Sequence, residues 1–377
     1  MKPIYLDYNA TTPIDPEVAA AMLPYMREHF GNPSSSHWYG LEARKGVEKA
    51  RGQVAAMLNC SPSEIIFTSG GTESNNHAIK GAARLLERKK NHIIISAFEH
   101  PAVTEVCDYL AAGGFEITSV PVDDNGIIEL DALEKAITER TVLISVMHAN
   151  NEAGTVQPIA EIARIARGRG ILCHTDAAQS VGKIPVDVAA LGVDLLSVAG
   201  HKLYAPKGIG TLFIREGIQL EKFMHGAGHE QGRRAGTENV IEIAGLGMAC
   251  EIAKRDLAVN VERMKRSRDM LEEGLLRVVE NARVNGHPEK RLPNTLSVSF
   301  KGIDAGALLQ AMEGLAASAG AACHGNSVEL SRTLCAMAVP VEWARGTIRL
   351  STGKFTTQGE IDRALEIIAA AVNHLRS

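Results

Sequence analysis

The chain is short of the features that mark several large classes of protein. No apolar run approaches the roughly 20 residues needed to span a bilayer. The longest are strand-sized, such as Ile93-Ile94-Ile95. There is no excess of base: 40 Lys and Arg stand against 44 Asp and Glu, a formal net charge of −4. Without a basic stripe to meet a phosphate backbone, nucleic acid is not an expected partner. The six cysteines lie far apart, at 60, 107, 173, 250, 323 and 335. No C-x-x-C pair suggests zinc and nothing suggests a disulfide framework, so no metal is expected. A reducing cytoplasm fits this usage. The opening MKPIYLDYNATTP has neither the apolar run nor the cleavage site of a secretory signal. Internal repeats and low-complexity segments are lacking as well.

What is present is an alternation of apolar strands and periodic helices. Strands are expected over 64–70, 92–98, 141–150, 171–179, 193–200 and 208–216. Helices are expected over 71–90 and 158–170. Buried strands separated by helices argue for an α/β unit with a mostly parallel sheet. From about 257 the pattern changes. A long helix over 260–280 is followed by a strand over 294–300, a helix over 305–315, a strand over 347–353 and a closing helix over 360–376. With 377 residues, two domains are the natural expectation. Residues 15–256 form the larger, and residues 1–14 with 257–377 a smaller α+β domain.

Three strand ends carry polar residues amid apolar surroundings. In TSGGTESNN (68–76) a strand runs into Gly70 and Gly71, then Thr72 at a helix start. Glycines admit a bound group close to the backbone, and the free N–H groups of the helix favour an anion. Ordinary capping by Thr72 or Ser74 is the plainer reading of this stretch alone. In HTDAAQSVGK (174–183) Asp176 ends an apolar strand, with Gln179 three residues on. A carboxylate there points into the crevice where α/β proteins bind ligands, though it could simply cap a helix. In SVAGHKLYAPKGIG (197–210) Lys202 follows His201 directly after a buried strand. A lysine held there and partly desolvated becomes a nucleophile, while a surface turn is its commoner fate. Taken together, an anion cradle, a strand-end Asp and a strand-end Lys suit pyridoxal phosphate. The helix start takes the phosphate, the Asp the pyridine nitrogen and the Lys the aldehyde.

The resemblance then becomes specific. LDYNATTP (6–13), TSGGTESNN, FEHPAV, MHANNEAG, HTDAAQ, GHKLYAPKGIG, RRAGTEN, GAACH and RLSTGKFTTQGEID (349–362) stand in order along nearly the whole chain. In that combination the chain resembles the cysteine desulfurases of the NifS/IscS type, within the class V aminotransferase superfamily. The resemblance implies a fold-type I pyridoxal phosphate enzyme, with a mostly parallel seven-stranded sheet in the large domain and a smaller α+β domain. It implies that Lys202 is the Schiff-base lysine and moves the substrate Cα proton. Asp176 pairs with the pyridine nitrogen, Gln179 donates to the phenolate oxygen and His100 stacks on the ring. Gly71, Thr72 and His201 hold the phosphate. Thr237 reaches the phosphate of the other subunit of a homodimer. Asn151, beside the cofactor, and Arg349 hold the substrate carboxylate. Asn32, Pro33 and Ser34 match a loop near the active-site mouth.

Cys323 matches the family's nucleophilic cysteine. The small residues before it and Gly325-Asn326-Ser327 after it suit a mobile loop rather than a packed segment. The implied reaction converts L-cysteine to L-alanine. The sulfur passes to the Cys323 thiolate as a persulfide and onward to an acceptor such as an iron–sulfur scaffold. His324 stands next to that thiol and could help ionise it. One departure stands out: Ala199 occupies a position where the family usually has Ser or Thr, so one phosphate hydrogen bond is expected to be missing unless Ser197 or water replaces it. Three alternatives stay open on the residues, one of them another class V reaction such as transamination or β-elimination, in which Cys323 would be incidental. ASAGAACH (317–324) and VPVEWARGTIRLSTG (339–353) are also similar to selenocysteine lyase, which releases selenide and alanine from L-selenocysteine. A non-catalytic cofactor-binding partner is the third, disfavoured by the intact Lys202, Asp176, Gln179 and His100.

Overall fold

The computed structural model describes residues 3–86, 90–324 and 327–377, with 86, 321–324 and 327–329 described by backbone alone. Its largest sheet has seven strands: β1 (Ile65–Thr68), β2 (His92–Ser96), β3 (Glu116–Val120), β4 (Thr141–Ser145), β5 (Leu172–Asp176), β6 (Leu195–Ala199) and β7 (Gly210–Ile214). Their order across the sheet is β1-β7-β6-β5-β4-β2-β3. Only β7 runs antiparallel to its neighbours.

The side-chain period of two explains why these segments are apolar throughout. Ile65 and Phe67 face one core, with helices Pro16–Arg27, Trp38–Leu58 and Ile159–Gly168. Ile66 faces the other, with helices Gly71–Leu86 and Pro101–Ala112. Ile94 and its neighbours Ile93 and Ile95 divide in the same way. A strand covered on both faces has no room for alternating polar residues. The seventh strand, Glu116–Val120, is absent from the expected set. It lies at the sheet edge with most of its side chains partly or wholly exposed, so no apolar run announces it.

A second core lies around a four-stranded antiparallel sheet, in the order Ser318–Ala319, Thr347–Ser351, Thr295–Phe300, Ala282–Asn285. Helices Ala305–Ala311 and Gln358–Arg376 cover it. The helix expected at 260–280 is part of a much longer one, Val240–Val278. It adds Leu246 and Cys250 to the first core and Leu271 and Leu275 to the second. The segment expected as a loop around Cys323 has paired backbone. Ala321–His324 runs antiparallel to Ser327–Leu330, with Cys323 opposite Val328. The Cys323 and His324 side chains and residues 325–326 lie outside the described residues. Among the described residues no helix is long and apolar enough to cross a membrane.

Candidate active site

Three parallel-sheet strand ends and one strand of the second sheet converge on a cleft of about 370 Å³. β1 turns through Ser69 and Gly70 into helix Gly71–Leu86, whose start is braced from within. Thr68 Oγ1 and Ser74 Oγ lie 2.8 Å apart, and the Ser69 N–H donates to Glu73 Oε2 at 2.8 Å. The turn packs against β7 so closely that a Cβ on Gly210 would stand 2.6 Å from Gly70 Cα. Glycine at 210 is therefore a steric requirement of the turn.

β5 ends at Asp176, which is buried. Its Oδ2 accepts from Asn75 Nδ2 at 2.7 Å, and its Oδ1 from the Ala178 N–H at 2.9 Å. Fixed donors on both oxygens hold the carboxylate in one orientation.

β6 ends at Ala199, and the tight turn Gly200–Lys202 carries His201 and Lys202 into the cleft. The N-terminal segment clamps this turn. Thr12 donates to the His201 carbonyl from both its N–H and its hydroxyl, each at 3.0 Å, and Lys202 Nζ donates to the carbonyls of Asn9 and Ala10. Burial, and after it the Arg349 cation, pull the Lys202 ammonium from 10.5 down to about 8; Asp176 and Asp7 oppose the shift. Burial also takes His201 down to about 4, so it is a neutral ligand at physiological pH.

His100 caps helix Pro101–Ala112, with Nδ1 accepting from the Ala102 N–H at 3.0 Å. An accepting Nδ1 leaves the ring proton on Nε2. The ring is open to the cleft, yet the protein behind it lowers the pKa, with Asp176 opposing and Lys202 assisting.

Arg349 reaches in from strand Thr347–Ser351 of the second sheet. Its Nη1 donates to the Asn151 carbonyl at 3.0 Å; its Nη2 donates to Asp7 Oδ1 at 2.7 Å and to Ser318 Oγ at 3.0 Å. Ser318 lies five residues before Cys323, so the arginine is tied directly to the base of the cysteine segment.

The structure therefore brings nine of the expected residues to one cleft: Gly71, Thr72, His100, Asn151 and Asp176, with Gln179, His201, Lys202 and Arg349. Thr237 is not among them. It is exposed and lines a separate recess with Ser69 and Arg234. Asn32, Pro33 and Ser34 are likewise outside the cleft lining.

Pyridoxal phosphate fits what is present. The cleft offers a helix N-terminus and neutral His201 at one part, and a fixed carboxylate and a low-pKa lysine at another. Two buried polar atoms on its wall, Asn75 Oδ1 and Arg349 Nε, have no hydrogen-bond partner among the described residues. At the phosphate turn a Cβ on Gly71 would stand 3.2 Å from the Ala199 methyl, which keeps the cradle narrow. Ser197 does not replace the missing hydroxyl at 199. Its Oγ is fully buried and engaged with His174 Nε2 at 3.0 Å inside the sheet.

Sequence reasoning missed several residues that build the site. Asn9 is wholly buried and links both halves: its carbonyl accepts from Lys202 and Gln179, and its side chain bonds Thr295, Asn294 and Lys183. Asp7 pairs with Arg349. Glu230 forms a buried two-point ion pair with Arg51, at 2.8 and 2.9 Å, and anchors the segment leading to Thr237. Asn9 and Asp7 lay inside a quoted motif, LDYNATTP, but their polar contacts are to residues far along the chain.

The chain matches the family model "Aminotransferase class-V" over residues 4–364. It is similar to the cysteine desulfurase IscS of Dictyoglomus turgidum, 46% identical over 376 residues, covering 99% of this chain and 95% of that protein. Among solved structures it is similar to a NifS-like protein, with a TM-score of 0.93, 40% identity and coverage of 99% of this chain and 100% of the other. It is also similar to SspA in complex with cysteine, with a TM-score of 0.83, 35% identity and coverage of 94% and 100%.

Proposed function

The chain belongs to the class V aminotransferase family, and we propose that it acts there as a pyridoxal phosphate-dependent cysteine desulfurase, converting L-cysteine to L-alanine. The observation that carries this reading is the meeting of Lys202, Asp176, Gln179, His100 and Arg349 in one cleft. The names of the similar proteins weigh for sulfur and against the selenocysteine lyase alternative.

Bound in the cleft, pyridoxal phosphate supplies an electron sink for charge developing at the substrate Cα. Gly71, Thr72 and His201 would hold its phosphate, Asp176 its ring nitrogen and Gln179 its phenolate oxygen. Arg349 brings a delocalised cation whose Nε has no partner among the described residues, and with Asn151 it holds the substrate carboxylate. Lys202 Nζ, at about 8, is present in part as free amine near neutral pH and takes the Cα proton. His100 keeps Nδ1 occupied by a backbone N–H, which leaves Nε2 for proton exchange on the cleft side.

We assign to Cys323 the thiolate that receives the substrate sulfur as a persulfide. The bond between Arg349 and Ser318 supports this, because it sets the base of the cysteine segment against the carboxylate-binding group. A homodimer follows from the same reading. Thr237 is exposed outside its own chain's cleft, where it can serve a partner's cofactor, and the exposed aromatic cluster of Phe30, Trp38 and Tyr39 offers a surface to cover. We place the protein in the cytoplasm, passing sulfur to an acceptor such as an iron–sulfur scaffold. The second core, drawn from Ile4, Leu6 and residues beyond 270, supports a division into 15–256 and 1–14 with 257–377, although Leu334, Met337, Val339 and Ala344 pack into the first core.

The test is turnover of L-cysteine against L-selenocysteine by cofactor-loaded protein with reductant, with Cys323→Ala alongside. Alanine and sulfide from cysteine, lost in the variant, are expected. Activity on selenocysteine alone that survives the substitution would overturn the proposal.

A further inference from the structure

Lys183 is buried, 5% exposed, and among the described residues no carboxylate pairs with it. Its Nζ donates to Gln179 Oε1 at 2.7 Å and to Asn9 Oδ1 at 2.9 Å, both amide oxygens. Burial, Lys202 and Arg349 all disfavour its charge. A methionine would fill the same space without that cost, so the amine must do something a methyl group cannot. We propose that Lys183 is a positioning residue that fixes which end of the Gln179 amide faces the cleft. This rests on the pyridoxal phosphate reading above.

A primary amide is nearly symmetric in shape, and a half-turn exchanges its oxygen for its NH₂. An ammonium donates and cannot accept, so whatever faces it must be oxygen. Even as the free amine, Lys183 has an N–H for each of its two partners. With Gln179 Oε1 held this way, Nε2 points to the Asn9 carbonyl at 3.0 Å, leaving a second N–H on a residue that lines the cleft. The same lysine holds Asn9 Oδ1, so Asn9 Nδ2 donates to Thr295 Oγ1 and the Asn151 carbonyl, at 2.8 and 3.1 Å. The Asn9 carbonyl then stays in place as acceptor for Lys202. Without Lys183, only the Asn9 carbonyl opposes a half-turn of the Gln179 amide, a turn that would set its oxygen toward an anionic phenolate and make a favourable contact repulsive.

The test is a double-mutant cycle on the cofactor-loaded protein with Lys183→Met, Gln179→Leu and both together. The readouts are the dissociation constant for pyridoxal phosphate and the absorption band of the bound cofactor. Lys183→Met is expected to weaken binding about two- to tenfold, the effect of one hydrogen bond, and to shift the band. In the Gln179→Leu background its effect is expected to shrink to the smaller part that runs through Asn9. Wild-type binding and band in Lys183→Met, or an equal loss in both backgrounds, would overturn the inference. Should Lys183→Met fail to fold, Lys183→Ala, which admits a water able to donate or accept, runs through the same cycle with the same criteria. A wild-type protein with no cofactor band, or one whose band survives Lys202→Ala, would instead sink the cofactor reading.

Discussion

The lowered pKa of Lys202 has a measurable kinetic consequence. An amine captures an aldehyde only as the free base. At about pH 7.5 a lysine titrating at 8 is about one quarter free base, whereas one at 10.5 is roughly one part in a thousand. Cofactor-free protein should therefore capture pyridoxal phosphate on the order of 200-fold faster at that pH than an unperturbed lysine would. The assay is stopped-flow absorbance over a range of pH, with Lys202→Ala as the background. The rate should rise with pH and reach half its plateau near pH 8. Arg349 is the second cause of the shift after burial, so removing its cation has a definite sign. In Arg349→Gln the Lys202 pKa rises and the half-rate point moves to higher pH. Asp7 loses its ion-pair partner in that variant and its charge, now unopposed, acts in the same direction. A wild-type half-rate point near 10.5, or one left unmoved by Arg349→Gln, would refute the reasoning.

Two other predictions follow from single side chains. Burial raises the Glu99 carboxyl to about 8, with Asp176 adding to the effect. Its contribution to stability is thus present below the ordinary carboxyl range and lost as pH rises through 8. Glu99→Gln mimics the protonated acid, so its melting temperature should match wild type near pH 4, exceed it increasingly up to about pH 8 and level off above that; a gap that does not change with pH would contradict this. Ala199→Ser restores a hydroxyl beside the phosphate turn and should tighten pyridoxal phosphate binding about two- to tenfold, the range for one hydrogen bond, as read by equilibrium dialysis. Equal affinities would show that the turn already satisfies the phosphate.

The parts of the site that were legible in the sequence are those that interrupt a local pattern. Asp176 and Lys202 stand out because each ends a run that is otherwise apolar, and Thr72 because two glycines precede it at a helix start. The strands of the large sheet are legible for the same reason, except Glu116–Val120 at the edge, where exposure removes the apolar signal. What was not legible depends on contacts made across the chain. Asn9 meets Lys183 across 174 positions, and Asp7 meets Arg349 across 342. Nothing within a short window distinguishes Lys183 from a surface lysine. The start of helix Val240–Val278 was missed because its first half is buried and lacks a clear polar stripe. The pairing of Ala321–His324 with Ser327–Leu330 was missed because small residues carry little strand preference.

That long helix has a mechanical consequence. Its 39 residues span about 60 Å, and both cores are fastened to the same hydrogen-bonded rod. Residue 257, where the sequence pattern changes, falls inside it. Cutting the chain there would not release two finished pieces. It would leave each core with half of a shared spine, one stub carrying Leu246 and Cys250 and the other Leu271 and Leu275, buried faces now turned to water. Loss of order in one core therefore frays the support of the other, and the rod makes their unfolding a joint event.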